Sequence, residues 1–146
     1  MGKVVQIKVL NLEELETAGN SFLYFDDSLT ELSMLNLKTV GDSFLFFNET
    51  ITKLSLPNLK TVGSNFIFYN QSLIELSMPK LKTTESRFLS YNQSLAELSL
   101  PNLKTVGSYF LCHNKSITQL SLPNLKAVGT GFLFCNKNVD RTQWVK

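Results

Sequence analysis

The chain has 146 residues, the size of one ordinary domain, and carries 14 Lys+Arg against 12 Asp+Glu, a net charge of +2. So small a charge argues against nucleic acid as a partner, and no apolar run is long enough to insert into a membrane. The start resembles no signal peptide, and two cysteines say little about the redox compartment.

A repeat of 22 residues organises the sequence. One leucine column is Leu15, Leu37, Leu59, Leu81, Leu103 and Leu125, and a second is Leu10, Leu32, Leu54, Leu76, Leu98 and Leu120. A phenylalanine column keeps the same step at Phe22, Phe44, Phe66, Phe88, Phe110 and Phe132. Leucine columns at a period of about 20 to 29 residues predict a solenoid whose units bury their apolar edges against each other.

Taken in chain order, residues 1–14 are expected to form an N-terminal cap strand, because Leu10 falls in the second leucine column. Residues 15–138 hold the repeats, and residues 139–146 are expected to form a degenerate C-terminal cap strand with Trp144 as a lid. The whole of 1–146 is therefore predicted to be one domain.

Each repeat is predicted to contain two short strands and few or no helices. The first is the Glu-Leu-Ser segment, which alternates polar and apolar residues, and the second is the aromatic segment, as at Phe66–Tyr69. A proline such as Pro79 follows the first strand, and glycines such as Gly63 are expected to adopt a positive φ in a turn. About six stacked coils would form parallel sheets with rungs about 4.8 Å apart.

The order Val-Gly-x-x-Phe-Leu/Ile-x-x-Asn-x-x-Leu-x-x-Leu-x-Leu-Pro, as between Val62 and Pro79, resembles the BspA-like leucine-rich repeats. The resemblance extends over roughly residues 7 to 139, although Asn70 stands where that family commonly has Cys and the loop from Pro57 to Val62 is one residue shorter. It implies a protein-binding or adhesion role at a cell surface or in secreted form. It implies no particular ligand.

Catalysis and metal binding find no support in the sequence. The single histidine, His113, shares a column with Phe47 and Tyr69 and is interpreted as one more ring in an aromatic row. Cys112 and Cys135 are 23 residues apart, one off the repeat, so no disulfide is expected between them. We predict no enzyme activity, no catalytic or metal-binding residues and no cofactor.

An asparagine column ends the aromatic segments, and its members are Asn48, Asn70, Asn92, Asn114 and Asn136. An amide both donates and accepts hydrogen bonds, so stacked copies are predicted to form a buried structural ladder. Four of these residues also lie in Asn-x-Ser/Thr sequons, and burial would prevent their glycosylation.

Three outward rows are candidate interaction surfaces. The candidate binding face is the first strand, where side-chain charge varies from coil to coil, with Glu31, Lys53, Glu75, Glu97 and Gln119 beside the short side chains of Ser55, Ser77 and Ser99. The alternative is an aromatic face that would bind a partner or a sugar or self-associate, unless turns cover it: Phe46, Phe47, Phe68, Tyr69 and Tyr91. A basic ridge is interpreted as a solvated surface that discourages aggregation: Lys38, Lys60, Lys82, Lys104 and Lys126.

One coil departs from the pattern at Thr84, Glu85, Arg87 and Ser90, which we interpret as drift rather than function. Glu85 would be strained if the glycine place that it occupies required a positive φ. The sequence as a whole predicts a non-enzymatic protein-interaction or adhesion module with a protein, or a glycan, as ligand. The alternative is a self-associating structural solenoid or an engineered repeat scaffold.

Overall fold

The computed structural model describes residues 9–140, which wind into a solenoid with one three-residue strand and one two-residue strand in each 22-residue coil. The three-residue strands are β1 (Val9–Asn11), β3 (Glu31–Ser33), β5 (Lys53–Ser55), β7 (Glu75–Ser77), β9 (Glu97–Ser99) and β11 (Gln119–Ser121). The two-residue strands are β2 (Thr17–Ala18), β4 (Thr39–Val40), β6 (Thr61–Val62), β8 (Thr83–Thr84), β10 (Thr105–Val106) and β12 (Ala127–Val128). Residues 9–140 contain no helix, and the predicted β-rich solenoid is confirmed.

All strand pairs are parallel and join residues one repeat apart, as in the pairing of Leu32 with Leu54 between β3 and β5. The two-residue strands form one continuous sheet of six. The three-residue strands form a sheet of four, β1 to β7, and a separate sheet of two, β9 and β11. Within residues 9–140, β7 and β9 are therefore adjacent in the repeat order but not paired.

The three-residue strands lie where the polar-apolar alternation predicts the first strand. In β5, Lys53 is exposed and Leu54 is buried, because successive side chains of a strand point to opposite faces. The proline that follows, Pro57, has no N–H with which to extend the ladder. The alternation therefore sets which face of this strand meets solvent.

The predicted position of the second strand is wrong. It lies at Thr-Val, as in Thr61–Val62, where a β-branched residue points outward and the next one packs inward. The aromatic segment that follows is a series of turns. In it Ile67 and Tyr69 have φ values of 51° and 62°, in the left-handed region.

Backbone hydrogen bonds join these aromatic segments from coil to coil. The Ile67 N–H donates to the Phe44 carbonyl of the preceding coil at 2.9 Å, and the Tyr69 N–H donates to the Ser90 carbonyl of the next coil at 3.0 Å. The left-handed backbone conformation costs free energy for any residue that has a Cβ. The inter-coil hydrogen bonds, repeated in each coil, hold the segment in this conformation.

A column of stacked phenylalanines forms the centre of the core. The rings of Phe66 and Phe88 lie 5.4 Å apart at an interplanar angle of 5°, and both side chains are fully buried. Leucines such as Leu59 and Leu81 pack around the column, also with no exposed surface. Each coil therefore buries its apolar residues against the same residues of its neighbours.

The prediction of a positive φ at the repeat glycines is also wrong. Glycine is needed at these positions because the neighbouring coil leaves no room for a Cβ. A Cβ on Gly63 would lie 2.6 Å from the carbonyl carbon of Gly41 and 2.4 Å from Oδ1 of Asp42. Glu85, in the same column, does not have a positive φ either, so the conditional strain predicted for it does not arise. The glycines allow close approach of successive coils.

The two predicted caps lie only partly within the described residues. At the N-terminal end, Leu10 of β1 pairs with Leu32, in the register that the leucine column predicts. At the C-terminal end Val139 is buried. Residues 1–8 and 141–146, including the predicted lid Trp144, lie outside the described range.

Candidate binding surfaces

The outer face of the three-residue strands forms an open groove of about 950 Å³ that runs along the solenoid. The predicted charged row lies in it, with Glu31, Lys53, Glu75, Glu97 and Gln119 all exposed. The serines lie beside them, with Ser55 half-buried and Ser77 and Ser99 exposed. The structure thus brings every residue of the predicted binding face together along one surface.

The groove has an apolar centre at the gap between β7 and β9. Ile74, next to β7, is 54% exposed and lines the groove, and the neighbouring Leu76 is only half-buried, whereas Leu54 and Leu98 of the same column are buried. Leu76 is thus more exposed than its column partners beside the unpaired edge of β7, and Ile74 stands in an outward column that also holds the exposed Ala96 and Thr118. Exposed apolar surface with a polar rim is typical of a binding site.

Charges surround this apolar centre unevenly. Lys53 Nζ and Glu75 Oε1 approach to 3.8 Å, and both side chains are at least half exposed. An ion pair this exposed contributes little to folding stability. Glu97 and Gln119 continue the row, so the groove changes from mixed charge at one end to acidic and then neutral at the other.

The aromatic face consists of two rows, and both reach the surface. Phe46 and Phe68 stack at 5.0 Å in one row, and Phe47 and Tyr69 stack at 4.6 Å in the other. These four rings and Tyr91 are half-buried. An alternating strand would point one row outward and the other inward, but the segment is a series of turns, and both rows lie at the surface.

One of these rows is interrupted in the irregular coil. Ser90 and Cys112 occupy the row of Phe46 and Phe68, and a pocket of about 400 Å³ lies over them, with Phe134 at its far side. Burial raises the pKa of the Cys112 thiol, nearby Cys135 raises it further, and the positive charge of Arg87 opposes both effects. Cys112 and Cys135 are both free thiols.

The asparagine column is buried, with Asn48, Asn70, Asn92 and Asn114 at 0% exposure and Asn136 at 1%. Each reaches back to the preceding coil: Asn92 Nδ2 donates to the Ile67 carbonyl at 2.7 Å, and Asn92 Oδ1 accepts from the Asn70 N–H at 2.8 Å. Ile67 is a left-handed residue, so the amide bonds the carbonyl of a turn. The sequon asparagines among them point into the protein.

A second asparagine column lies on the surface and was not predicted from the sequence. Each member donates from Nδ2 to a carbonyl 23 residues earlier, as Asn102 does to Pro79 at 2.7 Å. The column consists of Asn36, Asn58, Asn102 and Asn124. The recurring Asn-Leu-Lys of the sequence was the available signal. At Lys80 the column is broken, and that ammonium donates to Asn58 Oδ1 at 2.7 Å.

The basic ridge is exposed along its length, at Lys38, Lys60, Lys82, Lys104 and Lys126. Lys38 pairs with Glu16 at 3.2 Å. The ridge lies beside the outward threonines of the six-stranded sheet, such as Thr61 and Thr83.

In residues 9–140 the His, Cys, Asp and Glu side chains form no group that could hold a metal ion. The same range contains no helix long and apolar enough to cross a membrane.

Six parallel strands of each kind, stacked leucine and phenylalanine columns and a strand face open as a groove define the class as a leucine-rich-repeat solenoid. The family model described as the BspA-type leucine-rich repeat region matches six copies over residues 6–140. The chain belongs to this family, whose repeats form interaction folds. Comparison with curated proteins and with solved structures gives no significant match.

Proposed function

We propose that the chain is a non-enzymatic protein-interaction or adhesion module that binds its partner in the groove of the three-residue strands. The observation that carries the proposal is the apolar surface of Ile74 and Leu76 at the gap between β7 and β9, in the middle of a row of charged residues. An apolar centre gives affinity through its removal from water, and the surrounding charges give orientation and specificity.

The repeat architecture supports this role. The leucines of the three-residue strands hold the backbone in place, while residues on the outer face can vary in charge without disturbing the core. Small serines beside the charged row leave room for a partner to approach the backbone. The groove therefore combines a rigid base with side chains that a partner can read.

The test is a comparison of three variants of the intact chain. The immobilised protein is incubated with surface and secreted proteins of the organism from which it comes, and the retained proteins are quantified by mass spectrometry. We expect the double variant Glu75→Lys/Glu97→Lys to weaken binding of the retained partner by about tenfold or more and to change the dependence of that binding on salt. Its melting temperature should stay near that of the wild type, because surface substitutions change stability little.

Two control variants decide the location of the site. Lys82→Glu/Lys104→Glu reverses as many charges on the basic ridge and should leave binding unchanged. Tyr69→Ala alters the aromatic face. If the groove variant binds normally while Tyr69→Ala loses the partner without unfolding, the partner binds the aromatic face and the proposal is wrong.

A second candidate function, self-association, is favoured by the exposed rings at the ends of the aromatic rows. Phe25 is 57% exposed and Phe134 is 52% exposed, although each contacts other rings. Sedimentation over a range of concentrations tests it, because a stacking solenoid grows with concentration. A monomer at all concentrations would contradict it.

A further inference from the structure

The aromatic row that contains Phe46 and Phe68 has two successive positions without a ring. Tyr24, Phe46 and Phe68 stack at centroid distances of 5.1 and 5.0 Å, and then Ser90 and Cys112 take the places of the next two rings. Phe134 resumes the row after them. Since parallel rungs are about 4.8 Å apart, Phe68 and Phe134 lie about three rungs, or roughly 14 Å, from each other.

Small side chains at both places leave a slot that opens to solvent, the pocket of about 400 Å³. Ser90 and Cys112 are buried in its floor, and Tyr91 and His113, which stack on each other at 4.6 Å, line one side. The volume lies in the range of pockets that bind small molecules.

The ring of Tyr91 contacts Phe68 at the edge of this slot. Its ring lies 5.3 Å from Phe68 and is tilted by 56° to it, whereas its stacking on Tyr69 in its own row loosens to 6.2 Å. The tighter stacks of that row are 4.6 and 5.1 Å. Tyr91 and Phe68 therefore contact each other and together form an aromatic wall of the slot.

The slot also carries a positive charge. Arg87 is exposed and lines it, and no carboxylate of residues 9–140 lies within ion-pair distance of its guanidinium. The field of Arg87 reaches the buried floor, where it opposes the rise of the Cys112 pKa. Tyr109, beside Arg87 in the lining, contributes a further polar group.

We propose that this slot binds a small aromatic carboxylate, whose ring packs against the aromatic side chains that line the slot and whose carboxylate pairs with Arg87. A guanidinium beside an aromatic wall offers a planar ring a stacking surface and a carboxylate two parallel N–H donors. The slot shares no lining residue with the groove, so a test of this site does not depend on the proposed partner-binding function.

The experiment uses phenylacetate as the probe and the intact ¹⁵N-labelled chain as the receptor. Amide shifts are followed during titration, and changes are expected to concentrate at residues 87–91 and 109–113. A ligand with one ring should bind with a Kd on the order of 1 mM. Phenethylamine, which carries the opposite charge, should bind at least about tenfold more weakly, because Arg87 repels it.

Two variants that restore the regular repeat test the residues. Ser90→Phe places a ring where Phe46 and Phe68 have one, so it should fill the slot and abolish binding. Arg87→Asn introduces the residue type that the preceding coil has at the same place, Asn65, with the same left-handed φ. This variant should weaken phenylacetate binding by about tenfold. The matched control, Lys104→Asn, removes a positive charge from the ridge and should leave the Kd unchanged.

Unchanged binding to Ser90→Phe would place the ligand elsewhere on the aromatic rows and overturn the proposal. Equal binding of phenylacetate and phenethylamine, or unchanged binding to Arg87→Asn, would remove Arg87 from the site and also overturn it. If Ser90→Phe does not fold, Arg87→Asn and the charge-inverted probe still decide the matter. A peptide ending in Phe that binds more tightly than phenylacetate would show that the slot prefers a protein terminus to a free acid, and would contradict the assignment to a small molecule.

Discussion

The backbone N–H of Asn70 donates a hydrogen bond of 2.8 Å to Oδ1 of Asn92, which stands in the same place one coil further on. The same Asn92 side chain donates to the Ile67 carbonyl. One amide therefore bonds the backbone of the preceding coil at two points, next to left-handed residues whose groups would otherwise be buried without partners. The asparagine column joins successive coils as well as filling space.

Replacing Asn92 by Ala should lower the free energy of unfolding by about 1 to 3 kcal/mol, because a buried N–H and a buried carbonyl lose their partner. Urea unfolding followed by circular dichroism measures the loss. Asn102→Ala is the control, since Asn102 makes a similar bond at the surface, where water can replace the amide. If the two variants lose the same stability, burial of the asparagine column does not matter to the fold.

Gly63→Ala should destabilise the chain by about 1 to 3 kcal/mol, because the added methyl group would overlap the backbone of the preceding coil at Gly41. Gly19→Ala is the matched control, because a Cβ there meets nothing within 4 Å. That variant should be neutral or stabilising by up to about 1 kcal/mol. Thermal unfolding of the two variants compares them directly, and equal melting temperatures would show that coils do not approach as closely as described.

Thr84→Val should stabilise the chain by about 1 kcal/mol. Thr84 is 5% exposed, the corresponding residue of both neighbouring coils is a buried valine (Val62 and Val106), and the buried Thr84 hydroxyl has no hydrogen-bond partner in the described residues. A methyl group of similar size removes the cost of desolvating that hydroxyl. The exposed neighbour gives the control: Thr83→Val should change the free energy of unfolding by less than about 0.5 kcal/mol. A destabilised Thr84→Val protein would indicate that the hydroxyl is bonded.

The 22-residue step was sufficient to predict the coil, the core columns and the position of the first strand. It could not place the second strand, because bulky residues such as Ile67 and Tyr69 rarely adopt a positive φ and nothing local marks them as turn residues. Only the hydrogen bonds from neighbouring coils stabilise that conformation, and those exist once the coils are stacked. The role of the glycines was mispredicted for the same reason, because it is the adjacent coil, and not their own turn, that excludes a Cβ at these positions.

The candidate surfaces were predictable to different degrees. The outward row from Glu31 to Gln119 follows from alternation in a strand, so its position in the groove could be read from the sequence. The gap between β7 and β9 could not, because their Glu-Leu-Ser sequences are identical. Ser90 was recognised as irregular but interpreted as drift, since the slot appears only when Cys112 is seen to lack a ring at the next place in the same row.

The most direct test of the account is to map where a partner touches the solenoid. A photo-reactive phenylalanine analogue is introduced in place of Ser77 in the groove, of Tyr69 on the aromatic face, or of Thr83 on the six-stranded sheet, and each protein is irradiated with the partner retained by the wild type. We predict covalent adducts from position 77 and none from position 83, with competition by unlabelled wild type but not by Glu75→Lys/Glu97→Lys. Adducts from position 69 without any from position 77 would contradict it.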